Sequence, residues 1–362
     1  MKLGHFEALR PLCPRCREAG GREALILAEV TRGTREDVLE GVLHCPGESC
    51  RQEYPILDGV PIIVPRVRAY VSENLPHIMS REDVSPLLES LIGDCSGPGS
   101  VLDSTRQYLS SYGAGHYDDL DPEREREARG KGSVLEVLER GLELAGPLPL
   151  GPTLDVGCSV GRPAFELAQR RPGLVLGVDL NFAMLRVASR ALRAGVACYP
   201  RRRGGLVYER REFPLDLPGA ERVDFWACDA LALPFADATF ALATSLNVLD
   251  CVPVPRDHLA GLGRVLLPSG RAILSSPYDW SPGATPVEGW LGGHSQRHGE
   301  AGSSESLLRA LLTPGAHPAS VANLRLLAEV EGLPWTVRLH DRYSANYSVH
   351  LVVAEAVQDS GD

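Results

Sequence analysis

The chain has 362 residues, of which 44% are hydrophobic and 23% are charged, and its formal net charge is −10. This composition is typical of a soluble globular protein with two domains, or one domain and an appendage, and the acidic balance argues against broad contact with nucleic-acid backbones without excluding a local basic patch. No apolar run reaches the ~18 residues that span a bilayer, and the first residues lack a signal-peptide core. We therefore expect a cytoplasmic protein with no membrane partner.

Two cysteine pairs mark a predicted module at residues 1–66, and they are Cys13 with Cys16 and Cys45 with Cys50. Four thiolates brought together by a short β ribbon form the closed tetrahedral site of a structural zinc ion. The second pair is spaced more widely than is usual, and free buried thiols are the alternative interpretation. Because four thiolates leave no open coordination position, such a zinc would stabilise the module or a docking surface for a protein partner.

Residues 67–150 predict a helical connector, because short helical patterns alternate there with polar breaks. Its charged run at 119–132 is typical of a solvated connection. The aromatic and polar segment at 108–120 has two interpretations, a lid over a cofactor or a plain surface loop. The lid contacts would be Tyr108, Tyr112, His116 and Tyr117.

Residues 151–358 predict an α/β domain, because short apolar strands alternate there with amphipathic helices. The strand candidates lie at 153–157, 174–180, 223–229, 240–248 and 272–277. Residues 335–356 predict two further β segments joined by a polar turn. The pattern therefore predicts a Rossmann-like, seven-stranded sheet that ends in a β-hairpin, next to a small β zinc ribbon.

The segment LDVGCSVGRPAFELA (154–168) predicts a strand, a glycine-containing turn and a helix. Gly157 and Gly161 allow a positive φ and a close approach of the backbone to a ligand. The turn differs from the G-x-G-x-x-G of dinucleotide enzymes, because Ser159 occupies the middle small position. It resembles the acidic–x–Gly–x–small–x–Gly turn of S-adenosylmethionine enzymes, with Asp155 as the leading acid.

Two more acids, Asp179 and Asp229, end the next two predicted strands. Ligands of open α/β sheets bind at the carboxyl ends of strands, where Asp179 suits two ribose hydroxyls and Asp229 suits an adenine amino group beside the Ala230 N–H. A lone strand-terminal Asp is usually a turn former or cap, but three in succession favour an S-adenosylmethionine site. The other candidate cofactor contacts are Cys158, Arg162, Leu180, Met184, Ser245 and Asn247.

Four elements resemble the imidazole N-methyltransferases that act on mercaptohistidine in ovothiol formation. They are Gly161–Ala168, Asn247–Asp250, Ser276–Trp280 and Trp290–Gly293. The resemblance covers roughly residues 150–356, and it implies a class I methyltransferase fold and a histidine-derived small-molecule acceptor. The chain departs from that family because no iron-dependent sulfur-inserting domain is present and a cysteine module precedes the domain.

The acceptor side follows from the chemistry of methyl transfer, in which the enzyme mainly positions the nucleophile. A carboxylate that holds one imidazole N–H fixes the tautomer whose other nitrogen has a free lone pair. Asp250 is the candidate for that carboxylate, although it could be only a helix-start acid, and Asn247 would orient the substrate or the methionine moiety. Trp280 would form an aromatic wall, unless it is a packing residue. The candidate hydroxyls are those of Tyr278, Tyr343 and Tyr347.

Two alternatives remain for the function. The segment YPILDGVPIIVP (54–65) resembles the small zinc-ribbon activator subunit of tRNA and release-factor methyltransferases, so an RNA or translation-factor methyltransferase is the first alternative. Arg201–Arg203 favours nucleic acid, although a solvated loop is the simpler interpretation of that run. The second alternative is a non-catalytic protein that binds the cofactor or another subunit, against which the intact set of acids argues.

Overall fold

A computed structural model describes residues 1–81, 84–124, 131–297 and 299–357. The strands of these residues are, in chain order, β1 (Ile26–Gly33), β2 (Val38–His44), β3 (Glu53–Leu57), β4 (Val60–Ile63), β5 (Thr153–Val156), β6 (Val175–Asp179), β7 (Val196–Gly204), β8 (Val207–Pro214), β9 (Val223–Cys228), β10 (Phe240–Leu246), β11 (Leu266–Ser276), β12 (Leu324–His340) and β13 (Tyr343–Ala356). The helices are α1 (Leu3–Leu9), α2 (Pro14–Glu18), α3 (Val67–Ile78), α4 (Pro86–Ser96), α5 (Val101–Tyr117), α6 (Ser133–Ala145), α7 (Arg162–Arg170), α8 (Phe182–Ala194), α9 (Pro255–Val265) and α10 (Ser304–Leu311). None of the helices in these ranges is both long and apolar enough to cross a membrane.

Eleven strands form one sheet in the order β1-β2-β3-β4-β9-β6-β5-β10-β11-β13-β12. Strands β9, β6, β5, β10 and β11 run parallel, so their carboxyl ends meet at one edge of the sheet. Strand β13 pairs antiparallel with both β11 and β12 and forms the C-terminal hairpin. That hairpin begins at Leu324, earlier than the predicted residue 335.

Seven of the eleven strands come from residues 151–358, and the four strands of the N-terminal module extend the sheet beyond them. Strand β4 pairs antiparallel with β3 and parallel with β9, where Ile62 lies opposite Ala227 and Ile63 opposite Cys228. All four residues of β4 are buried, as expected for a strand covered on both faces. The pairing also covers the edge of β9, which would otherwise present unpaired backbone groups. The N-terminal module is therefore continuous with the main sheet.

Polar contacts hold the N-terminal module against the rest of the protein. The Lys2 N–H donates to Oδ2 of the buried Asp224 at 2.8 Å. The Arg193 guanidinium forms an ion pair with Asp37 at 2.9 Å. The Arg17 guanidinium donates to the Phe235 carbonyl at 3.2 Å. These contacts involve residues at the start, just after the first cysteine pair and in the middle of the module, and they hold it against the sheet.

The segment at 108–120 belongs mainly to α5, so the interpretation as a plain surface loop is wrong. The Ser100 hydroxyl accepts from the Asp103 N–H at 3.1 Å and caps the start of this helix. Gly113 is required inside the helix, because a Cβ there would lie 2.4 Å from the Tyr199 ring. Of the charged run, residues 125–130 lie outside the described residues.

The basic run Arg201–Arg203 lies in β7, which pairs with β8, so the predicted solvated loop is also wrong. Gly204 and Gly205 lie at the turn between the two strands. Arg201 is 2.9 Å from Asp341, and Arg203 is 2.6 Å from the same carboxylate. Since acids neutralise two of its three arginines, the run is a weak candidate for a nucleic-acid surface.

Candidate functional site

The turn after β5 has three residues with positive φ, which are Gly157 at 73°, Ser159 at 52° and Gly161 at 92°. A Cβ at Gly157 would lie 2.3 Å from Val248, and a Cβ at Gly161 would lie 2.6 Å from the Phe225 ring. Both positions therefore require glycine, for conformation and for space. The turn packs tightly between β5 and α7 at the carboxyl edge of the sheet.

Asp155 is a buried carboxyl group with one unused oxygen. Its Oδ1 accepts from the Thr244 hydroxyl at 2.6 Å, and its Oδ2 has no hydrogen-bond partner among the described residues. Burial, with the nearby Asp179 as a smaller cause, raises the pKa of Asp155 to about 7. A ligand with positive charge would favour the ionised form of this group.

Asp179 at the end of β6 has a carboxylate that two turns hold in place. Its Oδ2 accepts from the Ser159 N–H at 2.8 Å, and its Oδ1 accepts from the Asn181 N–H at 2.8 Å. The Leu180 N–H is a third backbone donor to this carboxylate, and the remaining acceptor capacity suits a ligand hydroxyl. Burial raises the pKa of Asp179 above its ordinary value.

Asp229 follows β9, and its Oδ1 accepts from the Leu231 N–H at 2.9 Å, which makes it a turn former as well as a candidate contact. Ala230 lies next to it, and its carbonyl is 3.5 Å from Nδ1 of His258 on α9. Nε2 of the same histidine is 2.8 Å from the Ser245 hydroxyl. Burial lowers the pKa of His258 to about 4, so it is neutral and ties these two predicted contacts together. Sequence reasoning missed His258, because a single histidine in an amphipathic helix gives no specific signal.

Arg162 and Cys158 are packed against protein groups. The Arg162 guanidinium donates to Asp119 at 3.2 Å and to the His116 carbonyl at 3.4 Å, which joins α7 to the end of α5. The Tyr117 hydroxyl adds a hydrogen bond of 2.7 Å to the turn at the Val160 carbonyl. Cys158 is 1% exposed, and burial raises the pKa of its thiol. Arg162 thus holds the end of α5 against α7.

Leu180 and Met184 follow Asp179 in the turn and first residues of α8. The Leu180 side chain is 43% exposed, and its carbonyl accepts from the Tyr70 hydroxyl on α3 at 3.0 Å. The Met184 sulfur accepts from the Ser159 hydroxyl at 3.3 Å. Helix α3 follows β4 directly, so Tyr70 connects the N-terminal module to the turn after β6. No pattern in the sequence indicates this contact.

Asp250 lies in a 3₁₀ turn, Leu249–Cys251, beyond the end of β10. Its Oδ2 accepts from the Asp279 N–H at 2.9 Å, and its Oδ1 is buried without a partner in the described ranges. Burial raises the pKa of Asp250. Asn247 sits just before this turn with a φ of 55°, and its Oδ1 accepts from the Ser275 hydroxyl at 2.7 Å. The Asp279 N–H thus holds one oxygen of this carboxyl, and the Ser276 hydroxyl is a further polar neighbour of it.

Tyr112 of α5 lies near both the acid that ends β6 and the acid that follows β10. Burial raises the pKa of Tyr112, and the smaller causes are the nearby Cys251, Asp179 and Asp250. Burial also raises the pKa of Cys251 to about 12, again with Asp250 and Asp179 nearby. Tyr112 of α5 therefore lies near both acids, in the cleft between the end of β6 and the turn after β10.

The candidate tyrosines lie at different distances from this cleft. The Tyr347 hydroxyl hydrogen-bonds to the exposed carboxylate of Asp279, a site residue that sequence reasoning did not single out. The Tyr278 hydroxyl is instead 2.8 Å from Nδ1 of the buried His350 on β13. Tyr343 is 56% exposed at the tip of the C-terminal hairpin. Tyr347 is therefore the tyrosine that the structure brings to the acids of the cleft.

Trp280 and Trp290 form a stacked pair beside this cleft. Their ring centroids are 6.1 Å apart with an interplanar angle of 16°, and Tyr278 lies 6.2 Å from the Trp280 ring. The Trp280 indole N–H donates to the Ser304 hydroxyl at 3.1 Å. This contact ties the aromatic pair to α10, so packing is at least part of its role.

The four cysteines of the N-terminal module come together in one group, with all sulfur atoms within 4.8 Å of one another. The Cys13 and Cys50 sulfurs are 3.7 Å apart, and those of Cys16 and Cys45 are 3.6 Å apart. A tetrahedral zinc ion with Zn–S bonds of about 2.3 Å requires sulfur separations of about 3.8 Å. These separations are too long for disulfides, which need about 2.05 Å. The donor set fits a closed zinc site.

Comparisons with known proteins identify the domain that carries the turn and the strand-terminal acids. Residues 154–274 match the protein family described as "Methyltransferase domain". The chain is 30% identical over 135 residues to 27-O-demethylrifamycin SV methyltransferase of Amycolatopsis mediterranei, an overlap of 36% of this chain and 41% of that protein. It is 27% identical over 174 residues to O-methyltransferase cnsE of Penicillium expansum, an overlap of 48% of this chain and 54% of that protein. The chain thus spans about half or less of the length of these curated relatives.

Among solved structures, the chain resembles Haemonchus contortus phosphoethanolamine N-methyltransferase 2 in complex with S-adenosyl-L-methionine. The identity is 21%, the coverage is 49% of this chain and 36% of that chain, and the TM-score is 0.34. The match at 154–274 includes the glycine-containing turn and the acids that end β6 and β9. Residues 154–274, which carry this turn and these acids, therefore match a methyltransferase domain.

Proposed function

We propose that the protein transfers the methyl group of S-adenosylmethionine to a ring nitrogen of an imidazole-type small molecule. The observation that carries the proposal is the buried Oδ1 of Asp250, which lacks a partner among the described residues. An imidazole N–H is a donor of the right size for this oxygen, and a flat ring suits a cleft bordered by Tyr112 and Trp280.

The acids at the strand ends fit the cofactor. When bound, S-adenosylmethionine supplies an electrophilic methyl group on a sulfonium. Asp179 would accept from the ribose hydroxyls with its remaining acceptor capacity, and Asp229 and the Ala230 N–H would bind the adenine edge. The unused oxygen of Asp155 offsets the positive charge of the methionine moiety. Each of these assignments follows from acceptor capacity that the protein itself leaves unused.

Asp250 performs the acceptor chemistry in this proposal. Its Oδ1 accepts the N–H of one imidazole nitrogen, so the lone pair of the other nitrogen points toward the methyl group. The neutral ring would attack the methyl carbon and become an imidazolium, while the electron pair of the broken carbon–sulfur bond would leave with S-adenosylhomocysteine. The Asp250 carboxylate stabilises that cation and can accept its N–H proton. Asn247, held on Ser275, orients the ring or the methionine moiety.

Two other acceptor classes are alternatives. The two curated relatives carry the names of O-methyltransferases, so a hydroxyl acceptor is one alternative. An RNA or translation factor is the other, but the net charge of −10 and the pairing of Arg201 and Arg203 with acids weigh against it. A small neutral or cationic molecule suits the acidic cleft better.

We also propose that Cys13, Cys16, Cys45 and Cys50 hold a structural zinc ion. Their sulfur separations support a tetrahedral site, and the Tyr54 hydroxyl lies 3.1 Å from the Cys13 sulfur as an outer hydrogen-bond donor. Strand β4 of the same module already pairs with β9. This arrangement favours a stabilising role for the zinc over a docking surface for a separate protein.

Replacing Asp250 with asparagine is expected to lower kcat by about 100-fold and to leave the cofactor Kd unchanged, because the cationic product loses its counter-charge. The assay follows the gain of one methyl group by mass spectrometry in imidazole, phenol and tRNA acceptors incubated with S-adenosylmethionine. Asp257→Asn, on the exposed first turn of α9, is the matched control and should retain wild-type activity. Methylation of the phenol or the tRNA but not of imidazoles would contradict the proposal, as would full activity of the Asp250 variant.

The affinity for the cofactor is expected to rise with pH through about 7. Burial, and to a smaller extent Asp179, raise the pKa of Asp155 to about 7, so below that pH its carboxyl is protonated in the free protein. A cationic ligand prefers the ionised carboxyl, so at low pH its binding must first remove a proton from Asp155. Each unit by which the bound ligand lowers the pKa of Asp155 corresponds to about 1.4 kcal/mol of interaction free energy.

Calorimetry at about pH 6 and about pH 8 checks this dependence, in buffers of different ionisation enthalpy. Asp155→Asn is the control for titration of the cofactor's own amino group, and it should lack the increase that is specific to the wild type. Equal pH dependence in the two proteins would show that Asp155 is not coupled to the cofactor.

A further inference from the structure

We infer that the methyl acceptor carries an ammonium or similar cation outside its ring, and that the carboxylate of Asp279 selects it. The inference rests on the proposed function, because it concerns the same cleft and adds a second binding position to it. Asp279 lies in the loop after β11, next to the acid that holds the ring in that proposal.

The backbone fixes the two acids of this cleft side by side. The Asp279 N–H donates to Oδ2 of Asp250 at 2.9 Å. Asp250 is 4% exposed and has an unused oxygen, whereas the Asp279 side chain is exposed. The Tyr347 hydroxyl hydrogen-bonds to the Asp279 carboxylate and orients it. One acid is therefore inside the cleft and the other is at its mouth.

Neither acid has a basic partner in the part of the chain that the structure describes. No arginine, lysine or histidine forms an ion pair with Asp250 or Asp279 there, although acids elsewhere, such as Asp121 and Asp341, are paired with arginines. Asp279 is one of the causes, after burial, that raise the pKa of Asp250. The pair is thus an uncompensated acidic position at which a cationic group would relieve the repulsion.

The two acids bind different parts of the acceptor, and together they define its chemical class. The buried oxygen of Asp250 takes the ring N–H, and the exposed carboxylate of Asp279 takes a charge that stays partly in water. The acceptor that fits both is an imidazole with a short side chain ending in an amine. An imidazole whose side chain ends in a carboxylate meets repulsion at the same place.

The test compares three imidazoles with side chains of similar length, which are histamine, 4-ethylimidazole and imidazole-4-acetate. For the wild type we expect kcat/KM to fall in that order, with histamine preferred to 4-ethylimidazole by ~10-fold, the preference shrinking as salt is added. Asp279→Asn keeps the backbone N–H that holds Asp250 and removes only the charge, so the preference for histamine should fall ~10-fold. Asp257→Asn should keep the wild-type preference.

The possible results distinguish a failure of the cation site from a failure of the proposed function. Methylation of all three imidazoles with no preference for histamine, or an unchanged preference in Asp279→Asn, would overturn the cation site and leave the imidazole function standing. Calorimetry with the S-adenosylhomocysteine-bound protein gives an independent reading, in which histamine should bind more tightly to the wild type than to the variant. Methylation of none of the three would overturn the proposed function itself, and with it this inference.

Discussion

Replacing Asp179 with alanine is expected to weaken the binding of S-adenosylmethionine by about 100-fold or more. In the proposed cofactor site the substitution removes charge-assisted hydrogen bonding to the ribose that is worth about 3 kcal/mol. It also removes the acceptor for the N–H groups of Ser159 and Asn181, both 2.8 Å from the carboxylate, so the glycine-containing turn loses a tether. Both effects weaken the proposed cofactor site at the ends of β5 and β6.

Calorimetric titration with S-adenosylmethionine measures this loss. Asp179→Asn should lie between the alanine variant and the wild type, because an amide oxygen can still accept one of the backbone N–H groups. Asp257→Asn is the matched control, since it removes one exposed acid from the first turn of α9. Unchanged affinity in Asp179→Ala would place the ribose elsewhere.

Replacing Cys13 with serine is expected to remove the zinc and to lower the free energy of unfolding by at least ~4 kcal/mol. Loss of a structural metal is among the few single changes with effects of this size. Cys13 is fully buried beside Tyr54, so the empty site would leave polar groups without partners. Because β4 and β9 share one sheet, disorder in the module would also expose the β9 edge.

The measurement combines the zinc content of the purified protein with chemical denaturation. Cys95→Ser is the matched control, because Cys95 is an exposed thiol of α4 outside the cysteine group. Its zinc content and unfolding midpoint should equal those of the wild type. A Cys13→Ser protein with one zinc per chain and unchanged stability would remove the zinc-site account.

The sequence predicted the central strands closely because each of them has a strong local signal. Strands β5, β6 and β9 are short apolar runs that end in an acid or a glycine-containing turn, and the observed bounds lie within two residues of the predicted ones. The pairing of β4 with β9 had no such signal, since it joins segments far apart in the chain. A continuous apolar run such as VPII indicates burial on both faces but not the neighbouring strand.

The candidate site could be predicted in part for the same reason. Asp155, Asp179 and Asp250 lie in or just beyond the carboxyl-terminal ends of strands, so the periodic pattern placed them at one edge of the sheet. Asp279 was missed because it follows Tyr278, whose φ of 55° redirects the chain in a way that no periodicity reports. The partners of Arg162 could not be predicted either, because α5 approaches that residue only in three dimensions.

Calorimetric titration of the zinc-loaded protein with S-adenosylmethionine, followed by a second titration with histamine, tests the central claim most directly. The account predicts one cofactor per chain, no binding of comparable affinity in Asp179→Ala, and tighter histamine binding when the cofactor product is present. Absence of cofactor binding by a folded, zinc-loaded chain would contradict the assignment of the cleft to S-adenosylmethionine.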